Sequence, residues 1–149
     1  MGEIFPFRTE IGVRGYEMDS YGHANNAAYL NWLEHARWQA FRLHKLWDMF
    51  RDMETVVRHV EVDYRAETFF GDRLSVVIWP RSVKDTSFVL GSTIRIADSC
   101  REASRTGKIA ALGTTVLVCV KPGSGTVRVP DAFRELFPAE DPGAEPAGI

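Results

Sequence analysis

Asp19, Gly22, His23, Asn25 and Asn26 fall within one short loop, and Tyr29, Leu30, Trp32, Leu33, Ala36, Trp38, Ala40, Phe41 and Leu43 follow directly. No Gly or Pro interrupts the second run, so it reads as a helix with the polar cluster at its N-terminus. A carboxylate there can attack an electrophile or take a proton from water. The start of a helix offers free backbone N–H groups and a partial positive charge. Together they suit a site that holds a negative charge developing during a reaction.

Each of these residues also has a plainer reading. Asp19 can cap its own turn, and His23 can brace the loop by donating to a carbonyl. Asn25 or Asn26 serves as the N-cap, its side-chain oxygen accepting from a first-turn N–H. What Asn26 adds to chemistry is its main-chain N–H. Gly22 permits a backbone conformation closed to other residues, or lets a ligand approach closely. Tyr29 and Trp32 belong to the core, with Tyr29 also placed to line a pocket. Glu34 lies on the helix eight residues beyond Asn26, where an ion pair suffices to explain it. His35, His44 and His59 lack ligand spacing, and no metal is expected.

The elements that position the loop follow from periodicity. Residues 4–15 read as a short strand, with Phe5, Phe7, Thr9, Ile11 and Val13 on one side. The helix runs from about Ala27 to Leu43, and Tyr29, Leu33, Ala36, Ala40, Leu43 and Trp47 form its core-facing stripe. Trp32, Trp38 and Phe41 widen that stripe beyond what a surface helix needs, so a sheet is expected to wrap it. Residues 44–53 read as a second short helix or a bent continuation. Period two then returns over residues 54–68, 73–83, 87–97 and 108–121, with Gly71-Asp72 and Lys84-Asp85-Thr86 as turns and Pro80 marking a bulge or edge. Residues 130–137 suggest a short terminal helix. The predicted class is α+β, one long helix wrapped by a five-stranded antiparallel sheet, as a single domain over residues 1–137. The Pro/Gly/Ala-rich acidic tail, residues 138–149, is expected to be disordered. The open face and edges of such a sheet call for self-association.

Composition excludes other classes. The 149 residues are 45% hydrophobic and 26% charged with net charge −2, ordinary for a soluble domain. Lys and Arg are scattered, unlike the basic face of a nucleic-acid binder. No apolar run approaches the roughly 20 residues of a membrane span, and the N-terminus has no signal-peptide core. Cys100 and Cys119 have no disulfide or zinc spacing, which predicts a cytoplasmic protein with reduced thiols.

The run from Asp19 through Gly22-His23, Asn25-Asn26 and Tyr29-Leu30 to Trp32 resembles the hotdog-fold acyl thioesterases. It is similar to the 4-hydroxybenzoyl-CoA thioesterase group and to the plant acyl-carrier-protein thioesterases. Phe70-Gly71-Asp72 matches the Gly-Asp turn of those proteins, and the element order covers residues 4–121. The resemblance implies hydrolysis of an acyl-CoA or acyl carrier protein thioester, in a homodimer or homotetramer with sites at the subunit interface. It needs no cofactor beyond the coenzyme A of the substrate. Asp19 takes the place of the catalytic nucleophile or general base, and Asn26 that of the residue whose N–H receives the thioester oxygen. His23 matches a catalytic histidine of the plant branch, while Tyr21 stands where that branch has Asn. Tyr21, Gly22, Asn25 and Tyr29 are the expected substrate contacts, and Arg58, Arg65, Arg81 and Lys84 are candidates for the phosphates. A hotdog hydratase or dehydratase and a non-catalytic acyl-CoA binder are the alternatives.

Overall fold

The computed structural model describes residues 3–147. The start of the predicted domain, 1–2, and the end of the predicted tail, 148–149, lie outside the described residues. Strand β1 (Phe7–Gly12) leads through a 3₁₀ turn to helix α1 (Asn26–Leu43). A second 3₁₀ turn at Leu46–Phe50 stands where a short helix is predicted. Four long strands follow: β2 (Glu54–Tyr64), β3 (Arg73–Val83), β4 (Ser87–Asp98) and β5 (Ile109–Lys121). A two-residue strand β6 (Gly125–Thr126) folds back on β5, and a single helical turn α2 (Asp131–Arg134) lies in the predicted terminal segment. All pairings are antiparallel, in the order β1-β3-β4-β5-β2.

The helix starts where its cap dictates. Asn25 has extended backbone angles, and its side chain accepts the Ala27 N–H at 2.9 Å. Trp32, Leu33, Ala36, Ala40 and Phe41 are buried on the inner face of the sheet against Leu74, Val76, Ile78, Leu90 and Ile94. Ala36 and Ala40 bring the helix backbone close to the strands, as their size permits. Trp38 departs from the predicted stripe: it is 57% exposed, and its ring meets Trp47 at 5.3 Å on the flank of the helix. Leu43 is exposed as well.

Pro80 marks an irregularity in the β3–β4 register between Pro80 and Ser82, consistent with its missing donor. On β4, Gly91 lies under the Trp79 indole, and a Cβ there would sit 2.5 Å from the ring. Strand β2 is the edge of the sheet. The alternation read there does not become a buried face within one chain, because Val56, Val57, Val60 and Tyr64 are all exposed. The acidic tail has no regular structure among the described residues, and two arginines hold it. Arg81 donates to both carboxylate oxygens of Asp141 at 2.9 and 3.0 Å, and Arg95 to both of Glu145 at 2.9 and 2.7 Å.

The Gly71-Asp72 turn is a buried polar node. The Asp72 carboxylate is fully buried and accepts the N–H groups of Phe69 and Cys100, each at 2.9 Å. Its own carbonyl accepts the Val13 N–H at 2.9 Å, which ties the turn to the end of β1. Asp72→Ala leaves both donors without a partner, at about 1–3 kcal/mol each. The expected result is a fall in Tm of about 5–15 °C in a thermal melt. Asp72→Asn keeps one acceptor and falls by roughly half as much.

The thiols provide a second check on packing. Cys119 is buried, and desolvation pushes its thiol up to about 11. Cys100 is exposed, although its hydrogen bond with Asp72 raises it above the ordinary thiol value. A disulfide reagent should titrate one thiol per folded chain, slowly, and two after denaturation.

Candidate active site

The loop before α1 is held by its own polar atoms. Asp19 Oδ1 accepts the N–H of Tyr21 at 2.8 Å and of His23 at 3.1 Å. The Asp19 N–H donates to the His23 carbonyl at 2.7 Å, closing a tight ring. Gly22 takes φ 82°, a conformation that favours glycine and lets the ring close. Asp19 thus does cap its own turn. This use of Oδ1 orients the carboxylate and leaves Oδ2 without an intramolecular donor among the described residues.

Glu17 anchors the loop to the helix from below. Its buried carboxylate accepts the Trp32 indole N–H at 2.7 Å and the Arg14 N–H at 2.8 Å, while its carbonyl accepts the Asn25 N–H at 2.7 Å. The loop and the first turns of α1 therefore move as one unit. At the helix start, Asn25 Oδ1 and the Asn25 carbonyl take the N–H groups of Ala27 and Ala28. The N–H of Asn26 has no acceptor among the described residues.

Asp19, His23, Asn26 and Tyr29 line one open cleft of about 220 Å³, together with Tyr64, Arg65, Ala66 and Glu67. Tyr21, Gly22 and Asn25 lie outside its wall. Tyr21 is exposed and stacks on the His23 ring at 6.4 Å, while Asn25 is spent on the cap. Tyr29 is fixed through its hydroxyl, which meets Thr68 Oγ1 at 2.9 Å and the Ala66 carbonyl at 3.3 Å. Burial pushes its phenol above the ordinary tyrosine value, so it stays neutral.

Glu67 and Tyr64 are the polar members of this cleft that the sequence did not single out. Glu67 Oε1 lies 3.6 Å from His23 Nε2, and Tyr64 donates to the Asn26 carbonyl at 3.2 Å. His23 also meets the edge of the Phe69 ring at 5.7 Å. The only signal available was that both acid and phenol sit at the exit of β2, just before the Gly-Asp turn. Among the phosphate candidates, Arg65 borders the cavity and pairs with Asp63 at 2.6 Å. Arg81 is taken up by Asp141, far from the loop in sequence and on the other face of the sheet. Glu34 lies instead beside Arg37, Trp38, Phe41, Trp47 and Val57 around a smaller cleft of about 130 Å³. No three His, Cys, Asp or Glu side chains among the described residues converge as metal ligands, and no described helix is long and apolar enough to cross a membrane.

A carboxylate held by its own loop and a helix N–H with no acceptor among the described residues, on two residues that line one cavity, are the kinds of group that attack a carbonyl and stabilise an oxyanion. Comparison with known proteins shows which family the chain is similar to. The family model of the thioesterase-like superfamily matches residues 13–137. The long-chain acyl-CoA thioesterase FadM of Escherichia coli K12 is 29% identical over 115 residues, covering 76% of this chain and 82% of that one. A thioesterase from Thermus thermophilus, solved with coenzyme A and Zn, is 30% identical over 91% of this chain and 95% of that chain, with TM-score 0.71. Slr0204, a 1,4-dihydroxy-2-naphthoyl-CoA thioesterase from Synechocystis, shares the fold at 19% identity and TM-score 0.70, covering 88% of this chain and 94% of that chain. Helix and curled sheet together are the hotdog fold, and the chain belongs to the thioesterase-like superfamily.

Proposed function

We propose that the protein hydrolyses the thioester of a long-chain acyl-CoA, with Asp19 as the reactive carboxylate and the Asn26 N–H as the oxyanion donor. One observation carries this reading: Asp19 and Asn26 line the same cavity at the start of α1. Asp19 Oδ2 either takes a proton from the attacking water or attacks the carbonyl itself. In both forms the carbonyl oxygen becomes an oxyanion beside the Asn26 N–H and the positive end of the helix. Collapse of the tetrahedral intermediate expels the thiolate of coenzyme A. His23, with Glu67 beside it, is positioned to exchange a proton at the cavity mouth. A single turnover in oxygen-labelled water separates the two forms. Water attack labels only the product acid, whereas carboxylate attack expels the thiolate to leave an acyl–Asp19 anhydride that water then hydrolyses at either carbonyl, so label found in Asp19 marks that route.

The acyl group lies along α1. From Asn26 to Trp38 is twelve residues, about 18 Å of helix, and exposed Leu30, the Trp38–Trp47 pair and Val57 line the way. A long apolar chain suits that length, and FadM, the relative from Escherichia coli, takes long-chain substrates. The exposed β2 edge, with its unpaired main chain and apolar Val56, Val57 and Val60, supports a homodimer that joins two sheets there. Because the cavity is built on the end of β2, a partner on that edge would border the site. The chemistry calls for no metal or cofactor, and the sequence favours a cytoplasmic location.

A thiol-release screen over acyl-CoAs of varied length and aromaticity, with one acyl carrier protein substrate, tests the reading. The expected result is release that is fastest with long-chain acyl-CoA. Absence of thiol release from every substrate, with saturable binding retained, would overturn it in favour of a non-catalytic binder. Loss of enoyl-CoA absorbance without free thiol would favour a hydratase instead.

A further inference from the structure

Along β3, the residues that alternate with Leu74, Val76 and Ile78 point away from α1. Val77 and Trp79 are among them, and they are 2% and 3% exposed although neither belongs to the cluster around the helix. The chain's own tail covers this outward face. Gly143–Glu145 border a cavity of about 690 Å³ with Trp79 and Thr93, and Glu145–Ala147 border a second of about 540 Å³ with Val77 and Arg8.

The tail is a loose cover. Both cavities are open clefts between the tail and the sheet, so the tail does not pack against the strands along its length. Trp79 Nε1 and Thr93 Oγ1 are buried without a hydrogen-bond partner among the described residues, a condition that native cores avoid. No main-chain hydrogen bond among the described residues joins 138–147 to the sheet. What holds the tail is charge: the forked contact of Arg81 with Asp141, and Arg95 Nη1 donating to both oxygens of Glu145.

Apart from the tail, the outward face carries charges of both signs on different strands. Arg81 and Arg95 mark its β3-β4 side, while Arg8 on β1 is paired with Glu10 at 3.5 Å. Glu61 and Asp63 mark its β2 side, paired only with the exposed His59 and Arg65 of their own strand and its exit, among the described residues. Buried Val77 and Trp79 lie on β3, on the arginine side. A two-fold axis over such a surface sets the acids of one copy against the arginines of the other.

We propose that residues 138–147 are a displaceable strap over the surface on which a second copy of this chain docks. Asp141 and Glu145 hold the arginines that Glu61 and Asp63 of that copy would engage. A tethered segment competes at an effective concentration on the order of mM, so the strap excludes a free copy at ordinary protein concentrations. Assembly through this face is therefore blocked while the strap is seated. It is independent of pairing along the β2 edge.

Light scattering on three proteins at one concentration tests this: the full chain, the full chain with D141N and E145Q, and a chain ending at Phe137. The expected result is a defined doubling of mass in the second and third. Adding R95E to the shortened chain should return it to the mass of the full chain. Far-ultraviolet circular dichroism confirms that each is folded. An unchanged mass in both strap variants overturns the proposal, and so does open-ended aggregation without a defined stoichiometry. The readout is mass, so it stands or falls separately from thioester hydrolysis.

Discussion

Asp19→Asn lowers kcat for thiol release by about 10²–10⁴-fold, the usual range for a lost acid–base group, with Tm nearly unchanged. The substitution is selective because of the way Asp19 is held. Its Oδ1 accepts two loop N–H groups, at 2.8 and 3.1 Å, and an amide oxygen can accept the same two. The Asn25 cap and the Glu17–Trp32 hydrogen bond do not involve the carboxylate, so the helix start stays in place. Only the second oxygen changes, from an anion to a neutral amide that can neither attack nor take a proton. Asp19→Ala would confuse the two roles, since it also removes the acceptor that closes the loop. Thiol release and a thermal melt on the same preparation give the answer. A folded Asp19→Asn protein with full activity would remove Asp19 from the chemistry.

Asn26→Pro lowers kcat by about 10²–10³-fold, the loss seen when one oxyanion donor is removed, and leaves the helix intact. Position 26 is the first residue of α1, where proline is favoured because its missing N–H belongs to no intrahelical bond. The residue before it, Asn25, sits at φ −64° and ψ 144°, the extended conformation that a following proline requires. The variant therefore deletes one N–H and little else of the backbone. Asn26→Ala is its control, because alanine keeps the N–H, and its activity should stay within a few-fold of the parent. Equal loss in both variants would move the catalytic role to the Asn26 side chain. Full activity in Asn26→Pro would leave the oxyanion without its proposed donor.

The parts of this protein that were legible in sequence are those specified locally. The Asn25 cap, the helical stripe through Leu33, Ala36 and Ala40, the irregularity at Pro80 and the turn at Lys84–Thr86 each depend on residues within a few positions. The cluster of Asp19, His23 and Asn26 was readable for the same reason, being one loop. What escaped was set by distant chain. Glu67 looks like any surface acid until the exit of β2 is laid beside His23, 44 residues earlier by the numbering. Asp72 was visible as half of a turn, but its burial depends on the Cys100 N–H from beyond β4. Trp38 was read into the stripe by its apolarity, and its exposure follows from a helix flank that β2 leaves open. The pairing of the tail's carboxylates with arginines 60 and 50 residues away is likewise not visible in composition.

The contact between Gly91 and the Trp79 indole couples the fates of two positions on neighbouring strands. With the large ring in place, any heavier residue at 91 collides at 2.5 Å, so that site is closed to change. The lineage can reach a bulkier residue there only after 79 has become smaller. The order of the two substitutions is thus dictated, and relatives with a side chain at 91 should carry a reduced residue at 79.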